Sequence, residues 1–399
     1  MKQLPLKRLF VWVLLLVPLP LAGQQDTTRG QLLAVAVHPS GRLYMGDAAC
    51  RPCHESIYDQ FAATAHRNTS RLASPESIAG PLQKPDNTLR SGTVNFTLEE
   101  KEDGVYQTAH VLAGGAVHSH SERIDLVVGS NRKGQTYLHW EGNRLYQMPL
   151  SYFTPSEKWV YSPGITPGKA AFRRPVGTKC LECHATFFAA ASADTGNTFD
   201  RGNHLLGVAC ERCHGPGGRH VAWHQAEPDE PSKYIIDPAD LTPDRQLDLC
   251  ALCHSGPRAD KQPTFSFFPG DSLGAYSTPL ADQAGDLDVH GNQYGLLAQS
   301  PCFIQSDTMT CSTCHDPHRQ ERTDTALFSQ RCAACHQSVE SCGMAGQLGD
   351  SLRDRCIDCH MPERPSQILQ VNTGQADTPV LVRTHRIGIY RDLPDSAQP

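Results

Sequence analysis

This chain of 399 residues has little with which to build an ordinary core: hydrophobic residues make up 39% of it and charged ones 20%. Past residue 21 no apolar run approaches the roughly 20 residues that a membrane-crossing helix needs, so no such helix is expected there. There is no basic excess either. The formal charge is −6, which argues against a nucleic-acid partner. From residue 166 onward hydrophobic periodicity is poor and Gly and Pro are frequent, so long regular elements are not expected there.

The single apolar run, residues 9–21, is short and is interrupted by Pro18 and Pro20. Lys2, Lys7 and Arg8 precede it and the small pair Ala22-Gly23 follows it. That is the layout of a cleaved secretory signal over residues 1–23. No cysteine follows the run, so a lipid anchor is not expected. The sequence thus predicts an exported protein, periplasmic or extracellular, that does not span a membrane after cleavage.

What the chain does have is cysteine. Of its 16 cysteines, 14 fall in seven copies of Cys-x-x-Cys-His. The pairs are Cys50/Cys53, Cys180/Cys183, Cys210/Cys213, Cys250/Cys253, Cys311/Cys314, Cys332/Cys335 and Cys356/Cys359. They are followed by His54, His184, His214, His254, His315, His336 and His360. Two intervening residues put both thiols on one turn, within reach of the two vinyl groups of a porphyrin. The next residue then points at the iron as its proximal ligand, which is the attachment signature of haem c. A zinc half-site or a thioredoxin-like redox pair needs no histidine in that place, let alone in seven copies. The implied cofactors are seven haem c groups, a number read from the motifs. Their apolar faces would stand in for missing side chains and make folding depend on them. In bacteria such attachment takes place outside the cytoplasmic membrane, in keeping with export. Cys302 and Cys342 are left over; in an oxidising compartment they read as one disulfide, with Cys302 as a thiolate iron ligand the alternative.

The first motif stands alone and the other six begin between residues 180 and 356. The long gap reads as β structure. Thr93–Leu98 alternates, Asp103-Gly104 offers a turn, Ile124–Val128 is strand-like, and 135–140 and 144–148 flank Glu141-Gly142-Asn143 as a hairpin. The predicted organisation is a signal peptide at 1–23, a single-haem segment at 24–90, a β-rich insert at 91–165 and a six-haem domain at 166–399. The predicted fold class is mainly α, with extensive loops wrapped around haems and that small antiparallel unit inserted. Leu241–Arg245 should lead into a helix ending at the fourth motif, and 286–298 could form another.

With seven of the 19 histidines proximal, twelve remain. Low-spin haems need a sixth ligand, and histidine is the common choice. The leading distal candidates are His66, His220, His290, His318 and His385; His38, His204 and His224 come behind them. His318 is only three residues past His315 and cannot easily reach the far face of its own haem, so it should serve a neighbour. His110, His118, His120 and His139 lie in the β unit and read as ordinary polar residues.

Several stretches resemble the multihaem c-type cytochromes: Asp47 to His66, Cys210 to His220, Met309 to His318, Cys356 to Pro362 and Arg383 to Ile387. The resemblance covers most of residues 44–390 and extends to the tetrahaem cytochromes that accept electrons from hydroxylamine oxidoreductase. It implies haems packed in stacked and perpendicular pairs, and His220, after the Cys-His-Gly-Pro-Gly turn, as an axial ligand. It also implies that one haem can lack a protein sixth ligand; enzymatic members bind nitrogen oxides or hydroxylamine there. This sequence has seven motifs rather than eight and no Cys-x-x-Cys-Lys. Three functions follow. The first is electron transfer between redox protein partners of a respiratory chain. The second is a haem oxidoreductase for small N- or S-oxyanions or hydroxylamine. The third is a docking subunit of a respiratory complex.

Overall fold

A computed structural model describes residues 34–191, 196–322, 324–338, 342–372 and 377–390. The signal peptide expected at 1–23 lies outside the described residues. No described helix is long and apolar enough to cross a membrane.

The expectation of a mainly α fold is wrong. The chain is 27% helical and 29% strand, a mixed, β-rich architecture. Thr88–Ser91, Val94–Lys101, Gly104–Ala113 and Ala116–Arg123 form a four-stranded antiparallel meander. A seven-stranded sheet follows, with Gly134–Glu141 at its centre between Leu150–Phe153 and Arg144–Gln147. Ser70–Leu72 and Arg174–Pro175 belong to it, so the β unit overruns the predicted 91–165 at both ends. The expected hairpin is present: Arg144 pairs with Glu141 and Gln147 with Leu138.

Alternation along the central strand builds two cores, because successive side chains point to opposite faces. Tyr137 packs with Phe96, Leu98, Met148, Leu150 and Trp159 between the two sheets. Leu138 points the other way and packs with Leu126, Leu145, Leu181, Phe187, Phe188, Phe199 and Phe265. Leu181 lies inside the second motif, and Phe187 and Phe188 lie in the hairpin Ala185–Ala190/Phe199–Leu206 that follows it. The insert is therefore the platform on which the second motif sits.

Strand structure also invades the region expected to be helix and loop. Besides that hairpin, Arg258–Asp260 pairs with Ser277–Pro279 and Glu363–Asn372 with Asp377–Arg383. Helices are short and serve the motifs. Pro243–His254 ends on the fourth motif as expected, whereas the helix expected over 286–298 is only Gln293–Ala298 and leaves His290 in the preceding turn. Likewise the first helix, Arg51–Ala62, stops before His66.

Candidate haem sites

Each motif sits on a single helical turn or at a helix end. His54, His315 and His336 donate their backbone N–H groups to the carbonyls of Cys50, Cys311 and Cys332 at 3.0, 2.9 and 2.9 Å. This is the one-turn spacing that puts the imidazole beside the first thiol.

The seven motifs are not equally enclosed, although the sequence presents them as equivalent. Three of the expected attachment cysteines, Cys53, Cys180 and Cys335, are exposed, whereas the other motif cysteines are half-buried. For Cys53 and Cys335 the cause is local. Residues 51–57 and 333–338 are exposed throughout, so the turns that carry these two thiols pack on no apolar cluster among the described residues. Spacing alone assigns Cys53 and Cys335 to a haem; the packing around them adds nothing to that assignment. Cys180 stands at the outer edge of its turn, next to Leu181, which is buried in the core beneath.

The residues between the cysteines hold the motifs to one another. Buried Glu211, in the third motif, accepts backbone N–H groups from Met45 (2.9 Å), Gly46 (2.8 Å) and Gly217 (2.7 Å). It thereby fastens the approach to the first motif and the glycine turn before His220 onto the third. Its neighbour Arg212 donates to the Glu182 carbonyl at 2.9 Å, joining the third motif to the second. Arg331, just before the sixth motif, binds Glu321 at 2.6 and 2.7 Å, and Glu321 accepts the Asp316 N–H beside the fifth at 3.0 Å. Arg383 donates to the Ile357 and Met361 carbonyls and pairs with Asp358 at 3.2 Å, which ties the seventh motif to the segment carrying His385.

These clips bring thiols of different motifs together. The thiols of Cys50 and Cys210, of Cys183 and Cys253, and of Cys250 and Cys311 act on each other electrostatically. Burial pushes the Cys332 thiol up to about 11. Cys302 and Cys342 are both free thiols in the structure. Cys302 lies within electrostatic reach of Cys314 and Cys332, and Cys342 of Cys359, so each stands by a motif thiol rather than joined to the other as the expected bridge.

The imidazoles test whether haem fits. Ligation by a neutral ring is usually set by the hydrogen bond that the other nitrogen makes. His214, His360 and His220 donate Nδ1–H to the carbonyls of Ile236 (2.8 Å), Gly388 (2.8 Å) and Lys233 (2.9 Å), which leaves Nε2 for a metal. Burial, reinforced by the facing His254 and His315, holds His66 and His385 down at about 4, so both are neutral. Half-buried His184 and His385 each have a buried Nδ1 without a hydrogen-bond partner.

The rings also face one another. His54 and His220 have centres 6.4 Å apart with planes 21° from parallel. His214 and His318 are 6.0 Å and 23° apart, and His315 and His385 6.2 Å and 29°. His66 and His254 are 6.2 Å apart at a steep 70°. A metal–imidazole bond is about 2 Å, so two rings on opposite faces of one iron have centres about 6 Å apart. These separations are too long for ring stacking in contact and right for an intervening metal in a flat macrocycle. His290 exerts the largest charge effect on His184, ahead of His254. A zinc reading fits worse: among the described residues no three His, Cys, Asp or Glu side chains converge as a metal ion would need.

The second-rank candidates behave otherwise. His38 packs edge-on against Tyr44 and Phe268, His204 stacks on Phe188 at 4.9 Å, and His224 lies edge-on to His220 at 4.7 Å. In the β unit His139 binds the Phe172 carbonyl, and His110 binds Ser119. The clips formed by Glu211, Arg331 and Arg383 had no signal in the sequence beyond their positions within or beside motifs.

Comparison with known proteins agrees with this chemistry. The model of the family "Cytochrome c554 and c-prime" matches residues 166–215, which hold the second and third motifs. The multiheme cytochrome MtrA of Shewanella baltica (strain OS185) is 25% identical over 33% of this chain and 43% of its own length. The matched part is thus under half of that relative. The crystal structure of the outer cell wall cytochrome OcwA shares the fold, with a TM-score of 0.52 over 86% of this chain and 79% of that one, at 17% identity. These likenesses, with the repeated attachment motifs and the facing imidazoles, support a multihaem c-type cytochrome.

Proposed function

We propose that this is an exported electron-transfer protein that carries seven haem c groups and passes electrons between redox protein partners. Bound haem c supplies iron that cycles between ferric and ferrous states, with potentials tuned by ligand, burial and nearby charge. The chain's residues do the rest. The 14 motif cysteines would hold the porphyrins, and four facing pairs of imidazoles would ligate iron, His54 with His220, His214 with His318, His254 with His66 and His315 with His385, with His290 the candidate partner of His184. The observation that carries this reading is the common 6.0–6.4 Å separation of the facing rings.

The ligands cross between motifs, which supports close packing. The segment after the third motif serves the first, that after the fifth serves the third, and that after the first serves the fourth. The nearness of the motif-one and motif-three thiols supports the first of these pairings, and the thiols of motifs two and four and of motifs four and five add two further neighbours. Export rests on the basic and apolar segment at 1–23 and on the likeness to an outer cell wall cytochrome.

A second reading has its own observation. Neither His336 nor His360 is in ring contact with another imidazole in the described residues. An iron at one of them would have a free face, open to a small N- or S-oxyanion or hydroxylamine. Mass spectrometry of the secreted protein should give the processed polypeptide plus seven haems, and reduction by dithionite should proceed without consuming nitrite or hydroxylamine. Fewer haems would refute the count; turnover of either compound would favour the oxidoreductase.

A further inference from the structure

One short stretch of backbone, residues 233–236, meets two imidazoles that face different partners. The Lys233 carbonyl accepts Nδ1–H of His220 at 2.9 Å, and the Ile236 carbonyl accepts Nδ1–H of His214 at 2.8 Å. The Ile236 N–H returns to the His214 carbonyl at 3.0 Å, so both polar backbone groups of Ile236 fasten the stretch to the third motif. His220 faces His54 of the first motif, and His214 faces His318. Two carbonyls three residues apart thus serve ligands of the first and third haems.

The stretch belongs to no helix or strand. Side chains hold it instead. The Lys233 ammonium lies 4.0 Å from the centre of the Trp223 ring, and the Arg219 guanidinium 4.1 Å from that of Tyr234, both within cation–π range. Trp223 and Tyr234 meet edge to face at 5.9 Å and 79°, a favoured aromatic geometry. Arg219 and Trp223 stand one turn apart on the helix Gly218–Ala226, which also carries His220. The helix that presents the ligand therefore also grips the ligand's acceptor. Tyr234 itself has φ 63°, the left-handed conformation that a Cβ makes costly. That rotation turns the peptide between Lys233 and Tyr234 out of its extended orientation, and its carbonyl is the one that His220 binds. Such a conformation persists where the surroundings over-determine it, and here the two ring contacts of Tyr234 do so.

We propose that Tyr234, held by Arg219 and Trp223, is a positioning residue that fixes the Lys233 and Ile236 carbonyls as one strap, so that a single element sets the reduction potentials of the first and third haems together. This rests on the ligand pairs given above. Donating Nδ1–H to a carbonyl makes an imidazole a more basic ligand, and a more basic ligand favours ferric iron. Loosening the strap should therefore raise both potentials.

The test is spectroelectrochemical titration of the full-length holoprotein and of Y234A and Y234F, with haems counted by mass and spin states read by EPR. Y234A loses the ring and keeps the backbone strain, so two of the seven midpoint potentials should move positive while the haems stay low-spin. Y234F keeps the ring and should match the parent. Should Y234A fail to take up its haems, K233M, which removes only the cation over Trp223, replaces it and should move the same two potentials. Added to His318→Ala, in which a new high-spin signal marks the third haem, Y234A should shift the potential of the marked haem. Unmoved potentials, a shift of one haem alone, or an equal shift in Y234F would overturn the strap while leaving the ligand pairs intact. A His318→Ala variant that adds no high-spin iron would remove the pair at His214, and this proposal with it.

Discussion

His318 gives the sharpest single test, because its ring belongs to one motif's loop and faces another motif's histidine. It lies 6.0 Å from His214 with planes 23° apart, whereas His315, three residues before it, faces His385. Replacing His318 with Ala removes the one imidazole opposite His214 and leaves the thioether links at Cys210 and Cys213 untouched. The lost edge contact with Phe61, 6.2 Å between ring centres, should cost about 1 kcal/mol. The spectroscopic effect should be much larger in relative terms: one full haem equivalent passes from low spin to high spin, read by EPR of the oxidised protein. His385→Ala should do the same to another haem, and the double variant should give two equivalents. His224→Ala, whose ring lies edge-on to His220, should change nothing. If the double variant adds only one high-spin equivalent to whatever the parent shows, both residues serve the same haem and the crossed arrangement is refuted. If His318→Ala adds no high-spin iron to that of the parent, the facing-ring reading fails at that site.

Further outcomes are expected elsewhere. Glu211→Gln keeps an acceptor but removes the charge that draws three backbone N–H groups, so thermal unfolding should show a loss of about 2 kcal/mol. Its EPR changes should be confined to the first and third haems. Gly80→Ala would drive a methyl group into the rings of Trp159 and Tyr152 between the two sheets, costing about 1–3 kcal/mol with the haem spectrum unchanged. Arg331 holds Glu321 below the usual carboxylate range. A depressed folded pKa contributes stability above the unfolded value and loses it as pH falls through the folded one. Acidification below the ordinary glutamate range should therefore loosen the fifth and sixth motifs first. Glu321→Gln should abolish that acid step in a pH titration followed by visible absorption.

The chemistry of the sites was legible in the sequence because covalent attachment demands a fixed local spacing. Of the five leading histidine candidates, His66, His220, His318 and His385 face motif histidines at 6.0–6.4 Å, and His318 faces the histidine of another motif. The pairings themselves were not legible. They depend on Glu211, Arg212 and Arg383, whose partners lie tens to hundreds of residues away. Nor was the unequal exposure of the motif thiols, since Cys53 and Cys335 share the local spacing of the half-buried cysteines and differ only in what packs around them. The fold class was misread for a related reason. Strands such as Glu363–Asn372 contain Pro365 and charged residues that argue against a strand, yet Pro365 is tolerated in a two-stranded hairpin whose register shifts after it. Phe199–Leu206 carries Gly202 and is half-exposed, so alternation is weak. His38 and His204 are packed against aromatic rings, a placement that leaves no periodic trace.

The central claim is that imidazoles face each other across iron with the plane angles seen here. EPR of the fully oxidised native protein tests it most directly. The near-parallel pairs at 21°, 23° and 29° should give rhombic low-spin signals, and the His66/His254 pair at 70° a strongly anisotropic low-spin signal at large g. High-spin iron should be limited to the haems of His336 and His360. High-spin intensity beyond those two, or the absence of a large-g low-spin signal, would contradict the account.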